Sequence, residues 1–119
     1  MDELGNWREQ GRAAARARLR DLDPGRPLVP QACELIADVA RDMGHRVQVR
    51  PWGIADVACP WGEAKRAGLE PHCGARCEAW MLGCLEEIDS AFGTRLRMRT
   101  VQSIPDGEST CAREVWEER

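Results

Sequence analysis

Apolar residues recur at three- and four-residue steps in three parts of the chain, and this spacing predicts three helices, each with one buried face. The predicted helices span residues 7–22, 30–43 and 74–92. Pro30 suits the first turn of the second helix, where its missing amide proton costs nothing. Gly44 and Gly93 follow the second and third helices and suit their C-terminal caps. Periodicity and helix-ending residues therefore agree on where these two helices end.

Four shorter stretches are predicted as strands, two of them from a clear alternation of apolar and polar residues. They span residues 45–50, 54–59, 94–104 and 110–116, and the first and third alternate. Pro105-Asp106-Gly107 separates the last two and predicts a hairpin turn, because proline presets φ and glycine accepts positive φ. We expect residues 61–70 to form a loop or a short helix. His45, at the start of the first strand, is expected to face solvent.

Together these elements predict a single cysteine-rich α+β domain over residues 1–119, in which a small antiparallel sheet packs with about three helices. The predicted order of elements is α-α-β-β-α-β-β. A chain of 119 residues has the usual size of one domain and buries roughly two-thirds of the surface of its unfolded form.

The composition narrows the classes of function. Apolar residues make up 43% of the chain and charged residues 31%, as in ordinary globular proteins. The net charge of −3 argues against a nucleic-acid partner, which usually requires a strongly basic surface. Because no apolar run approaches the roughly 20 residues of a membrane span and no signal-peptide pattern is present, we expect a cytoplasmic protein without a membrane partner. The arginines between Arg8 and Arg20 are expected to form a solvated helix face.

Six cysteines in a cytoplasmic chain favour metal binding or thiol chemistry over structural disulfides, because thiols stay reduced in that compartment. Two of the six are predicted to be core residues. Cys33 belongs to the apolar stripe of the second helix. Cys84 lies about three turns, or roughly 16 Å, from Cys73 along the third helix and is therefore too distant to share a site with it.

The remaining candidates for a functional site are four cysteines and one histidine: Cys59, His72, Cys73, Cys77 and Cys111. Cys73 and Cys77 are one helical turn apart at the start of the third helix, where free amide groups favour a thiolate. Cys59 ends a predicted strand, and Cys111 begins one. Because strand ends and a helix N-terminus can form a pocket in an α+β domain, we expect these residues to lie together.

Three hypotheses fit this set of residues. In the first, some of the five hold a zinc ion or an iron–sulfur cluster, although the C-x3-C spacing of Cys73 and Cys77 is not diagnostic. In the second, a thiolate such as that of Cys73 or Cys111 attacks an electrophilic carbon, with His72 or Asp106 in support. In the third, the thiols only line a pocket that binds a small molecule. These residues alone leave the choice open.

Several short motifs stand out within residues 30–117. They are Val57-Ala58-Cys59-Pro60-Trp61, Gly68-Leu69, His72-Cys73 with Cys77, and Pro105-Asp106-Gly107 with Cys111. With these motifs the chain resembles the L-2-amino-thiazoline-4-carboxylic acid hydrolase-like family. It is more distantly similar to small-molecule-binding domains of the vinyl reductase type.

This resemblance implies an α+β domain and, for the namesake of the family, hydrolytic opening of a thiazoline ring. It also implies that Cys59, Cys73 and Cys111 line the pocket, with Cys77 and His72 near them. We therefore expect a Cys thiolate to hydrolyse a carbon–nitrogen or carbon–sulfur bond of a small-molecule substrate. Metal or cluster binding and ligand binding without catalysis are the alternatives. Because the chain is short, a homodimer is one assembly that would complete an enzyme.

Overall fold

The computed structural model describes residues 3–58, 73–102 and 111–118, and these residues form the predicted α+β fold. The predicted order of elements is confirmed. The elements are α1 (Glu3–Arg16), α2 (Leu28–Asp42), β1 (Arg46–Arg50), β2 (Gly53–Ala58), α3 (Cys73–Phe92), β3 (Leu96–Gln102) and β4 (Cys111–Glu117). The segment 61–70 and the predicted turn at 105–107 lie outside the described residues.

Helix α1 ends earlier than its apolar spacing predicts. Its last residue is Arg16 rather than residue 22, and a single 3-10 turn follows at Leu19–Asp21. Leu19 and Leu22 are three residues apart, which matches the three-residue repeat of a 3-10 helix, and both pack against the core. The tighter turn therefore preserves the predicted apolar contacts after the α-helix has ended.

The four described strands form one antiparallel sheet in the order β1-β2-β4-β3. The predicted C-terminal hairpin is present, since β3 pairs with β4. Alternate residues of a strand point to opposite faces of the sheet, so the register determines which residues share a face. Asp56 pairs with Val47 on one side and Cys111 on the other, while Ile54 pairs with Arg113 in a neighbouring row. These five residues lie on the face that the helices cover.

The core lies between that face of the sheet and helices α2 and α3. Ile36 of α2 and Ile88 of α3 are fully buried, and they belong to the same apolar cluster as Ile54, Leu96 and Val115 of the sheet. Burial of this apolar surface is the main favourable term in folding. Among the described residues, no helix has the combination of length and apolar character that crossing a membrane requires.

Helix α1 is joined to this core mainly through a close contact with α3. Gly11 of α1 faces the carbonyl oxygen of Trp80, and Gly83 of α3 faces that of Arg8. A Cβ atom at either glycine would overlap the opposing oxygen. The Sγ atom of Cys84 donates a hydrogen bond of 3.3 Å to the carbonyl oxygen of Gly11 at the same crossing. The two backbones therefore approach as closely as glycine allows.

Arginines of α1 bridge to glutamates of α3. Arg8 and Arg16 are exposed, as the prediction of a solvated face expects, and the ion pairs lie on that face. Arg8 and Arg12 both donate to the carboxylate of Glu86, with Nε–Oε distances of 2.5 and 3.0 Å. Arg16 donates to Glu87 at 2.9 Å. Burial alone would raise the pKa of Glu86, but the hydrogen bonds and charges of its two arginines outweigh burial and hold that pKa below its ordinary value.

Replacing Gly11 or Gly83 with alanine is expected to destabilise the fold by about 2 kcal/mol or more. Alanine raises helix propensity by about 1 kcal/mol over glycine, so a loss of stability isolates the steric effect of the methyl group. Gly25→Ala is the matched control, because its Cβ would meet only the side chain of Asp23, at 3.2 Å. Urea unfolding followed by circular dichroism measures all three. If Gly11→Ala and Gly83→Ala were as stable as this control, the close contact between the two helices would be contradicted.

Glu86→Gln is expected to cost about 1 kcal/mol of stability at neutral pH, since glutamine removes the charge that the two arginines hold. A carboxyl whose pKa is lowered in the folded state contributes stability above its unfolded pKa and loses it as the pH falls. The difference between Glu86→Gln and the parent chain should therefore shrink as the pH falls below the ordinary pKa of 4.5 and vanish below the lowered pKa of the folded state. Urea unfolding at neutral and acidic pH measures this, with the exposed Glu117→Gln as control. If the difference in stability persists at acidic pH, the charge of Glu86 is not its cause.

Candidate functional site

A cavity of about 290 Å³ lies between the covered face of the sheet and the three helices. Most of its lining is apolar, because the buried stripes of the helices meet the inward positions of β1 and β2 there. The large apolar side chains are Trp7, Ile36, Met43, Val47, Ile54, Trp80 and Met81. Trp7 belongs to α1, so the glycine contact between α1 and α3 also positions one part of the wall.

Six polar or thiol side chains also line the cavity among the described residues. They are His45, Asp56, Arg76, Cys77, Cys111 and Arg113. Asp56 and Cys111 are opposite each other in β2 and β4, and Arg113 follows on the same face two residues later. Arg76 and Cys77 come from the first turns of α3. Groups from separate elements therefore converge on one apolar cavity.

Two of the five predicted site residues, Cys77 and Cys111, line this cavity. Cys111 is buried and Cys77 is half-buried. Cys73 is the first residue of α3, and its side chain lies outside the described part of the structure. Cys59 and His72 also lie outside the described residues. That all five residues form one site therefore stays a prediction.

Within residues 3–58, 73–102 and 111–118, no group of three or more His, Cys, Asp or Glu side chains is arranged to hold a metal ion. Cys77 and Cys111 offer sulfur donors to the cavity, but a structural zinc site needs four ligands. The predicted zinc or iron–sulfur site would have to include Cys59, His72 or Cys73, so it stays a prediction.

Cys33 and Cys84 are core residues, as their helical periodicity predicts. Cys33 is 1% exposed, and Cys84 is fully buried. Burial raises the pKa of Cys33 to about 11 and that of Cys84 to about 12. Both thiols therefore keep their protons at neutral pH, which makes them internal controls for the reactivity of the cavity thiols.

His45 lines the cavity rather than facing solvent, so the prediction for this residue is wrong. It is 9% exposed, and its Nδ1 atom lies 2.5 Å from Oδ2 of Asp56. Gly44 turns the chain with a φ of 96°, and the amide of His45 then donates to the carbonyl oxygen of Ala40. A signal was present in the sequence, because His45 precedes Val47 by two residues and shares its strand parity.

Arg113 is another lining residue to which the sequence analysis gave no role. The strand pattern places it on one face with Cys111 and Val115, yet gives no reason to expect an arginine that is 2% exposed. Its Nε and Nη1 atoms are buried and have no hydrogen-bond partner among the described residues. Arginine is almost never fully buried unless it is paired. The lining therefore contains guanidinium donors that no described side chain satisfies.

The family resemblance drawn from the short motifs gains no independent support. No family model, curated protein or solved structure matches the chain. Membership of the hydrolase-like family therefore stays a prediction, and function has to be inferred from the geometry of the cavity.

The polar groups of the lining permit two kinds of chemistry. An ionised carboxylate only accepts hydrogen bonds, so Asp56 places the proton of His45 on Nδ1 and makes Nε2 the basic nitrogen. A histidine oriented in this way activates the nucleophile of many hydrolases, and Cys77 and Cys111 are the thiols on the same lining. The guanidinium of Arg113 cannot act as a base and instead favours an anion.

Proposed function

We propose that this protein binds a small, largely apolar molecule in the cavity between its helices and its sheet. The observation that carries the proposal is the cavity itself, about 290 Å³ of space with a mainly apolar lining. Ligand sites in proteins are typically concavities of roughly 300–1,000 Å³ with a few polar groups that orient the ligand. The volume lies at the lower end of that range and favours a ligand of one or two rings.

The nature of the wall supports a ligand over a defect in the core. Protein interiors are packed as densely as organic crystals, and unfilled space costs stability. Trp7 and Trp80 offer planar surfaces for stacking, while Met43 and Met81 have flexible side chains that adapt to different shapes. Such a wall suits a planar apolar guest.

Thiol-dependent hydrolysis is a second candidate, and the hydrogen-bonded pair of His45 and Asp56 favours it. Asp56 is opposite Cys111 in the sheet, so the pair and one thiol belong to the same row. In this mechanism His45 accepts the proton of the thiol, and the thiolate of Cys111 or Cys77 attacks the carbon of a C–N or C–S bond. That bond breaks, and the departing nitrogen or sulfur takes the proton from His45. Water, deprotonated by His45, then cleaves the covalent intermediate and releases the thiol. Asp56 orients the imidazole throughout.

Other predictions from the sequence remain beside these two. Catalytic roles for His72 and Cys73, and a metal or cluster held with Cys59, rest on the sequence and on the family resemblance. Assembly as a homodimer and a cytoplasmic location also stay predictions. The described residues favour cavity binding because the lining that they supply is mainly apolar.

Planar apolar probes such as 2-naphthol and indole are expected to bind saturably at millimolar concentration or below. Ala40 lines the cavity, so Ala40→Met should weaken binding about tenfold or more, because its side chain and the probe compete for the same space. Ala13→Met on the exposed side of α1 is the matched control and should bind like the parent chain. Isothermal titration calorimetry and amide chemical shifts measure the effect. Absence of saturable binding across a diverse fragment set would overturn the proposal.

If the hydrolase candidate is correct, iodoacetamide should alkylate Cys77 or Cys111 in the native protein at neutral pH while Cys33 and Cys84 stay unmodified. His45→Asn should slow that alkylation about tenfold or more, because the base that takes the thiol proton is lost. Peptide mass spectrometry over a time course gives the rate at each cysteine. Equal rates in His45→Asn and the parent chain would exclude His45 as the base that activates the cavity thiols.

A further inference from the structure

Arg113 is a buried cation in the middle of β4, with only 2% of its surface exposed. Its Nε and Nη1 atoms form no hydrogen bond with any described residue. A guanidinium remains charged throughout the physiological pH range, so it cannot escape the cost of burial by losing its proton. Buried polar groups are normally satisfied, and a buried charge without a partner is costly. Because this unsatisfied guanidinium lies on the wall of a cavity, a ligand in the cavity is the candidate for its partner.

The sheet holds this arginine in a fixed position. Arg113 pairs with Ile54 of β2 on one side and with Thr100 of β3 on the other. Gly53 passes so close to the carbonyl oxygen of Arg113 that a Cβ atom there would overlap it. The base of the side chain is therefore anchored on a central strand, as a preorganised binding group requires.

The other charged side chains described on the lining have side-chain partners. The carboxylate of Asp56 lies 2.5 Å from Nδ1 of His45. Nη2 of Arg76 lies 2.5 Å from the carboxylate of Glu3. Arg113 is thus a charged lining residue whose buried donors have no partner among the described residues, and the cavity favours a ligand with an anionic acceptor.

We propose that the ligand is an apolar monocarboxylic acid whose carboxylate pairs with Arg113, an inference that rests on the cavity being the ligand site. The planar fork of a guanidinium matches the two oxygens of a carboxylate. A single guanidinium with unsatisfied donors suits a monoanion, whereas a phosphate dianion would need further donors. The apolar body of the acid packs on the wall that includes Trp7 and Trp80.

The experiment compares two probes of the same shape and different charge, 2-naphthoate and 2-naphthamide, by isothermal titration calorimetry at neutral pH. We expect the parent chain to bind 2-naphthoate about tenfold or more tightly than the amide, because charge-assisted hydrogen bonds contribute at least that much. Arg113→Met has a similar length without the charge, and it should bind both probes equally. Arg97→Met, at an exposed position of β3, is the matched control and should keep the preference.

Thermal unfolding without ligand separates recognition from a structural role of Arg113. Replacing an unsatisfied buried charge with an apolar side chain is neutral or stabilising, so Arg113→Met should unfold no earlier than the parent chain. A large drop in its unfolding temperature would show that the chain itself supplies a partner for Arg113 and would overturn the inference. The comparison of the two probes on the parent chain does not depend on this variant folding.

The outcomes distinguish this inference from the proposed function. If the parent chain binds both probes equally and Ala40→Met weakens both, the proposed carboxylate recognition is overturned. The cavity then remains a ligand site. The carboxylate is also overturned if 2-naphthoate does not bind to a chain that binds indole, or if its preference survives in Arg113→Met. Failure of every probe and of the fragment set overturns both proposals.

Discussion

The close contact between the backbones of α1 and α3 is the constraint on which the rest of the structure depends. Gly11 and Ala15 are the buried residues of α1, so this helix has little apolar surface with which to join the core. An isolated helix of 14 residues is marginal in water. Gly11 and Gly83 weaken their own helices locally, yet they allow α1 to reach the position from which Trp7 closes part of the cavity.

Strand register positions the polar groups of the cavity in the same way that helix contact positions its wall. Asp56 and Cys111 form one cross-strand pair, and Arg113 and Ile54 form another on the same face. A register shift of one residue would turn each strand's side chains to the opposite face. The chemistry of the cavity is therefore determined by the alternation of β2 and β4, and substitutions that disturb the pairing alter it without touching a polar residue.

The fold was predictable from sequence because helix and strand periods are local signals, and Gly44 and Gly93 ended two helices where expected. The polar lining was less predictable because it depends on contacts between distant elements. His45 had the alternation expected of an inward-facing residue, but its position at the start of the predicted strand suggested solvent. Arg113 was correctly placed beside Cys111, yet its burial depends on helices that cover the sheet.

Ligand binding and hydrolysis need not use separate places in this cavity. Arg113 and Cys111 are two residues apart on one face of β4, which is roughly 7 Å along a strand. An acid anchored at Arg113 would therefore extend over about the width of a ring before reaching the row of Cys111 and Asp56, where a thiol and an oriented histidine meet it. Because the bound anion would also satisfy the buried guanidinium, the occupied protein should be the more stable form, and affinity and stability are linked through one residue.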